Sequence, residues 1–144
     1  MSSVETLRAT LRRRGERGST AVEFAIILPI LIMLVFGIVE FSIAYNRQQG
    51  LHAAAREGAR VAALPQTSQA GIDSRVRSAL QGVLNSTDIS NATITVTPSG
   101  NQPCDGAAPG THVVVTVSAP DQLAIPLVTN KSITLTGRGE FLCE

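Results

Sequence analysis

The junction between Gly18 and Ser19 is the place in this sequence where residue types and spacing point to chemistry on the chain itself. Five arginines lie among the seventeen residues before Gly18, and an uncharged run from Phe24 to Val39 follows closely. A glycine leaves the backbone open to a peptidase, because it has no side chain to obstruct the approach. The junction is therefore a candidate cleavage site at which a basic leader would be removed.

Glu23 gains a special position if that cleavage occurs. Ser19 would become the new N-terminus, and Glu23 would be the fifth residue of the processed chain. An α-amine and a carboxylate on the first turns of packed neighbouring helices can neutralise each other, which lowers the cost of holding either charge in apolar surroundings. The alternative is that Glu23 only complements the positive end of its own helix, a contribution of about 0.3–1 kcal/mol.

The apolar run that follows is long enough to cross a membrane. Its uncharged part covers roughly 24 Å as a helix, and its apolar flanks extend it past the roughly 30 Å hydrocarbon core. The segment through Gly18 carries five arginines against two glutamates, a net charge of +3, so that −2 remains for the rest of a chain whose formal charge is +1. Basic charge before the span predicts a cytoplasmic N-terminus and an extracytoplasmic C-terminal part. It also argues against a nucleic-acid partner, which requires basic charge on the folded part.

A secretory signal peptide is the first competing interpretation of this N-terminus. Signal peptidase requires a small-x-small triplet directly after the apolar core, and the first convincing one, at residues 53–55, lies well downstream. The layout therefore favours a retained membrane helix.

Small residues recur at helical spacing beyond the predicted span, which indicates that the helix continues to about Leu64 and ends at Pro65. Such a stripe lets another element approach closely. Packing against the chain's own domain and packing against another subunit are equally compatible with it. The predicted helix-packing positions are Ala55, Gly58, Ala59 and Ala62.

The C-terminal part alternates between helical and strand periodicity. A second helix is predicted for Gln69–Leu84 and strands for Ala92–Thr97, His112–Ser118 and Ser132–Thr136, with an apolar connection over Leu123–Val128. We therefore expect an α+β fold with a long N-terminal transmembrane helix and a three- or four-stranded antiparallel sheet. The expected domains are a leader (1–18), a membrane and extended helix (19–64) and an extracytoplasmic domain (65–144).

Cys104 and Cys143 are the two cysteines of the chain. If the domain lies outside the cytoplasm, they are expected to form a disulfide, worth roughly 4 kcal/mol in the chain-entropy model. The alternative is two unrelated thiols.

Residues for catalysis are sparse. His52 and His112 have no partner in a recognisable catalytic motif and are expected to be surface or packing residues. The aspartates, Asp121 among them, are expected to serve solvation or turn formation. We predict no cofactor, no metal site and no enzyme.

Three separated motifs resemble the TadE-like family of minor pilins, or pseudopilins. They are RGSTAVEFAIILP at residues 17–29, FGIVEF at 36–41 and AAAREGAR at 53–60. The resemblance covers about residues 15–63. It implies a part in a tight-adherence (Flp, type IVb) pilus, cleavage between Gly18 and Ser19 by a prepilin peptidase, and the role of the characteristic acid of the class for Glu23.

The predicted function is thus that of a minor pilin or pseudopilin in the bacterial inner membrane. The expected partners are the peptidase, other pilins, inner-membrane assembly proteins and lipid. The alternative is an unprocessed, signal-anchored single-pass protein that displays a binding or adhesion domain, and an enzyme is a third and weaker possibility.

Overall fold

The computed structural model describes the backbone of residues 3–123 and 131–144, with side chains for 18–122 and 132–144. The chain divides into two compact units, residues 1–39 and 40–144. Its elements are helices α1 (Ser3–Ala62), α2 (Gln69–Leu80) and α3 (Ser86–Asn91) and strands β1 (Thr93–Thr97), β2 (His112–Leu123) and β3 (Lys131–Leu142).

Helix α1 begins earlier than predicted. It starts at Ser3 and not near Thr20, and it continues through Pro29 and Gly50. The leader contains five arginines, two glutamates and two leucines, which are good helix formers, and it contains no proline that would end the helix before the junction. The C-terminal end falls at Ala62, shortly before Pro65, as the helix-breaking effect of proline predicts.

The three strands form one antiparallel sheet in the order β1-β2-β3. Strand β1 pairs with the first half of β2, from Thr97 opposite Val114 to Thr93 opposite Ser118. Strand β3 pairs with β2 along its full length. The α+β fold predicted from the sequence is therefore confirmed, with three strands in the part of the chain that the structure describes.

Strand β2 is longer than predicted, because it continues past Ser118 through Pro120 to Leu123. The ladder with β1 ends where Thr93 faces Ser118. Beyond that point β2 has no strand neighbour on the β1 side among the described residues, and such an edge is where proline is tolerated in a strand. Leu123, expected in a connection, is the last residue of β2, and residues 124–128 of that expected connection lie outside the described residues.

Strand β3 also exceeds its predicted end at Thr136, and it does so through Gly137 and Gly139. A Cβ atom on Gly137 would collide with the backbone of Leu51, and one on Gly139 with the backbone of Ala55. The two glycines therefore allow the backbone of β3 to lie directly against that of α1. Glycine weakens a strand by its own propensity, which is why the sequence pattern stopped at Thr136.

The predicted stripe of small residues on α1 is buried in the core of the second unit. Gly58 is placed against Val76 and Val115, so that a side chain there would meet both. Of the two arrangements left open by the sequence, the structure has the stripe packed on its own domain. The fully buried core residues of α1 are Leu51, Ala54, Ala55, Ala59 and Ala62, and those facing them are Ile72, Val76, Leu80, Val113, Val115 and Val117.

The region after α2 differs from the prediction. Helix α2 ends at Leu80 and not at Leu84, and Gly82 follows with a positive φ of 87°. A short helix, α3, lies between α2 and β1 and was not predicted. The side chain of Asn85 accepts a hydrogen bond from the Asp88 N–H and caps the start of this helix.

Candidate processing and assembly site

The predicted junction lies on the exposed surface of α1 in the first unit. Gly18, Ser19 and Glu23 are all exposed, and the space that a side chain at Gly18 would occupy is open. A peptidase must open the helical backbone before it can cut, and glycine lowers that cost, since it is about 1 kcal/mol less favourable than alanine within a helix. The three residues are thus accessible for the predicted reaction, although their roles remain predictions.

The helix between Val22 and Val39 presents large apolar side chains on all sides. Phe24, Ile30 and Ile38 are 60%, 65% and 61% exposed, respectively. A helix that is apolar all round requires an apolar environment. Within the described residues, one stretch, Gly18–Ala62, contains a window long and apolar enough to cross a membrane, and that window is not buried inside the protein. The first unit is therefore a candidate membrane anchor.

Within the second unit, an ion pair joins α1 to strand β2. Arg47 Nη1 donates to Asp121 Oδ1, and the Asp121 carboxylate is buried. The same oxygen accepts the Gln122 N–H at 2.9 Å. Asp121 was expected to be a solvated loop residue; that prediction is wrong, because β2 extends to Leu123 and carries the aspartate towards the helix.

Two further side chains of α1 bind the edge of β3. Gln48 Nε2 donates to the Thr136 carbonyl at 2.6 Å, and the Arg138 N–H donates to His52 Nδ1 at 3.2 Å. These contacts satisfy strand groups that would otherwise be open for pairing with another chain. His52 therefore has a structural role, as a packing residue is expected to have.

Glu57 links α1 to α2 through two arginines. Its carboxylate accepts hydrogen bonds from Arg60 Nε and Nη2 at 3.1 and 2.9 Å, and from Arg75 Nε and Nη2 at 2.8 and 2.6 Å. The hydrogen bonds from Arg60 and then those from Arg75 lower the pKa of Glu57 to about 2. The carboxylate therefore stays ionised at every physiological pH, and its ion pair with Arg75 joins α1 to α2 over that whole range.

Residues 143 and 144 are held near the C-terminal end of α1. Cys104 and Cys143 are joined in a disulfide with a Cα–Cα distance of 5.4 Å. The Cys143 N–H donates to the Thr111 carbonyl at 2.9 Å, and the Glu144 N–H donates to the Ala63 carbonyl at 3.1 Å. The last two residues thus contact both the loop after β1 and the end of α1.

A polar cavity of about 520 Å³ lies beside α3 and the end of β2. The described residues contain no group of three or more histidine, cysteine, aspartate or glutamate side chains placed to hold a metal ion. The cavity is lined by Arg47, Asn85, Thr87, Asp88, Asn91, Pro120, Asp121, Gln122 and Ser132.

These features define a class: a protein with one apolar, membrane-type helix near its N-terminus and a small α+β unit that holds the second part of the same helix. Residues 18–60 match the model of a family described as TadE-like protein. This match confirms the family resemblance drawn from the three motifs, and it begins at Gly18. No curated protein and no solved structure matches the chain significantly. The TadE-like pilins are structural proteins related to the Tad pilus and are not known as enzymes.

Proposed function

We propose that this protein is a minor pilin or pseudopilin of a tight-adherence pilus, made as a precursor and cleaved between Gly18 and Ser19. The observation that carries the proposal is the family match that begins at Gly18. The exposed helix after the junction, which is uncharged from Phe24 to Val39, supports it, because a pilus subunit must reside in lipid before assembly and among other apolar helices afterwards.

The proposed topology follows from the charge distribution. The arginine-rich leader stays in the cytoplasm, the helix crosses the inner membrane once, and the second unit lies outside the cytoplasm. In this orientation the leader meets a prepilin peptidase at the cytoplasmic face of the membrane. The other proposed partners are pilins, pseudopilins and inner-membrane assembly proteins.

Processing is tested by the intact mass of the full-length protein recovered from cells with and without the peptidase. We expect a chain that begins at Ser19 only when the peptidase is present. Gly18→Leu should leave the leader attached, because the side chain obstructs the scissile bond. Gly15→Leu, three residues upstream, is the matched control and should be processed normally. A mature chain that begins at Met1 or Ser2 in peptidase-competent cells would refute the proposal and favour the unprocessed adhesin.

Glu23 is proposed to neutralise an α-amine, its own or that of a neighbouring subunit, when subunits pack. Glu23→Ala should therefore spare membrane insertion and processing and reduce incorporation into the pilus by about tenfold, equivalent to about 1.4 kcal/mol of lost pairing. The measurement compares the amount of processed protein in membranes with the amount in sheared pili. Unchanged incorporation would leave Glu23 with only its contribution to the helix end.

A further inference from the structure

The polar cavity lies at the end of the second unit where α1 enters it. The backbone of β3 lies against Leu51 of α1 at Gly137. It lies against Ala55 at Gly139, so β3 runs in the same direction as α1. The start of β3, the end of β2 and helix α3, which directly precedes β1, are therefore on the side from which α1 enters. These segments and Arg47 of α1 line the cavity.

In the proposed topology, this end of the second unit meets the outer face of the membrane. The uncharged run ends at Val39, and the twentieth residue from Phe24, enough for the roughly 30 Å hydrocarbon core, is Ile43. Arg47 follows these two positions by eight and four residues, so it lies roughly 6–12 Å beyond the core. The headgroup layer is roughly 5–8 Å thick on each side, and the exposed Tyr45 is of a type enriched there. The cavity is thus at the height of the lipid headgroups.

Asp121 presents a carboxylate oxygen to this cavity. Its side chain is only 4% exposed, and its Oδ1 accepts hydrogen bonds from Arg47 Nη1 and from the Gln122 N–H. Oδ2 has no donor among the described residues. Since no fully enclosed side-chain oxygen or nitrogen in the described part of the chain lacks a partner, Oδ2 faces accessible space, and the space that Asp121 lines is the cavity. A ligand with N–H donors would satisfy this oxygen.

The other charged groups of the cavity have free hydrogen-bonding capacity as well. A guanidinium carries five N–H donors in a planar fork that suits a phosphate, and Asp121 takes one of those of Arg47. Asp88 Oδ2 accepts from Asn85 Nδ2 at 2.8 Å, and Oδ1 has no donor among the described residues. One arginine and two aspartates give the lining a net charge of −1. This set matches a zwitterion that carries both a phosphate and a primary ammonium.

We propose that the cavity binds the headgroup of a phosphatidylethanolamine-type lipid of the surrounding membrane. Arg47 takes the phosphodiester, and Asp121 Oδ2 and Asp88 take the ammonium. The volume of about 520 Å³ is in the range of small-ligand sites. The inference rests on the proposed membrane location of the helix and goes beyond it, since it assigns the second unit a lipid that fixes its height above the membrane before assembly.

The same chemistry excludes the other common headgroups. A choline headgroup has no N–H donor for the carboxylates, and proteins bind quaternary ammonium groups in aromatic cages. Among the described residues, no aromatic side chain lines the cavity. A glycerol headgroup brings the phosphate without the ammonium, so the two aspartates would oppose it.

Lipid retention by the full-length protein tests the assignment. The protein is placed in nanodiscs that contain equal amounts of phosphatidylethanolamine, phosphatidylcholine and phosphatidylglycerol, released into mild detergent and weighed by native mass spectrometry. We expect one bound phosphatidylethanolamine, retained at least about tenfold more often than either other lipid. Equal retention of all three lipids, or a preference for phosphatidylglycerol, would overturn the proposal.

Variants of the cavity locate the bound lipid. Asp88→Asn removes one carboxylate from an exposed position and should lower this retention about tenfold, to the level of phosphatidylcholine. Asp105→Asn, in an exposed loop outside the cavity, is the matched control and should retain the lipid as the parent does. Arg47→Lys keeps a cation beside Asp121 but loses the planar fork, so it should also lower retention. Thermal unfolding in phosphatidylcholine alone should show that each variant is folded. Undiminished retention in a folded Asp88→Asn protein would contradict the site.

Two soluble probes distinguish other occupants of the same cavity. In phosphatidylcholine nanodiscs, glycerophosphoethanolamine tests the headgroup without its lipid, and calcium chloride tests a metal ion. If either probe raises the melting temperature in the parent but not in Asp88→Asn, while phosphatidylethanolamine is not retained, the lipid assignment is wrong. Both faces of a nanodisc are alike, so the result does not depend on orientation in the cell. Cleavage between Gly18 and Ser19 should be normal in all variants, so this proposal and the proposed function fail separately.

Discussion

The parts of α1 on either side of Val39 differ in the size of their side chains and in what surrounds them. From Val22 to Val39 large aliphatic and aromatic residues are exposed on all sides. From Leu51 to Ala62 the inward positions are mostly alanine and glycine, and their side chains are fully buried. Both parts present an apolar surface, on one face after Leu51 and on all sides before Val39, so an apolar surface alone does not tell which part packs inside the protein.

Side-chain size makes the distinction. Small residues on one face let a strand approach the helix backbone, as Gly137 and Gly139 of β3 do. Large residues on every face do not allow such an approach and require a surrounding apolar medium, either lipid or neighbouring helices. The comparison predicts that substitutions in the second unit alter its stability and leave the first part of α1 unchanged.

The disulfide should give the largest effect. Cys143→Ser should lower the free energy of unfolding of the second unit by about 4 kcal/mol in oxidising buffer, because it opens a loop between residues 39 apart in sequence. The measurement is thermal unfolding of the full-length chain in detergent, with hydrogen exchange to report each part of α1. Addition of reductant should bring the parent to the variant's stability. Finding both thiols free in protein from the envelope would count against the bridge and the assigned orientation.

The contact of β3 with α1 should give the next largest effect. Gly139→Val should destabilise the second unit by about 3 kcal/mol, because the new side chain meets the backbone of Ala55, which cannot move aside cheaply. Gly100→Val, at an exposed position with open space, is the matched control and should be neutral. If both variants unfold at the same temperature as the parent, the close approach of the two backbones is refuted.

The Glu57 cluster should give the smallest effect and a pH dependence of defined sign. Since the pKa of Glu57 is lowered to about 2 in the folded chain from an ordinary value of 4.5, its contribution is complete above about pH 4.5 and is lost as the pH falls towards 2. After solvent screening we expect about 1 kcal/mol or less. Glu57→Gln should remove this part of the pH dependence between pH 5 and 2. Asp105→Asn, at an exposed loop position, is the control and should leave it unchanged. If the stability of the parent and of Glu57→Gln depends on pH in the same way, the stabilising role of the Glu57 ion pairs is contradicted.

Local patterns in the sequence predicted the apolar helix, the small-residue stripe and the location of the three strands. The ends of β2 and β3 were not predictable in this way, because Pro120 and Gly137 are unfavourable in strands by their own propensities. They are tolerated for tertiary reasons: one lies where β1 has ended, and the other lies against a helix backbone. The ion pair of Arg47 with Asp121 joins residues 74 apart in sequence, which no periodicity indicates.

The predicted processing residues are a different case. Gly18, Ser19 and Glu23 are recognised by type and spacing, and the structure adds that they are exposed on a helix. Their chemistry depends on a peptidase and on neighbouring subunits, so the fold of one chain cannot test it. Ala55, Gly58, Ala59 and Ala62, by contrast, act within the chain, and the structure shows where they pack.

The disulfide also makes the chain from Cys104 to Cys143 a covalent ring that contains both long strands. A protease that cuts this ring once leaves two fragments joined by the sulfur–sulfur bond. The cut protein would retain its full mass plus one water and would separate into two pieces only after reduction. An intact band on a non-reducing gel is therefore no proof of an uncut subunit, and reduced and non-reduced samples must be compared.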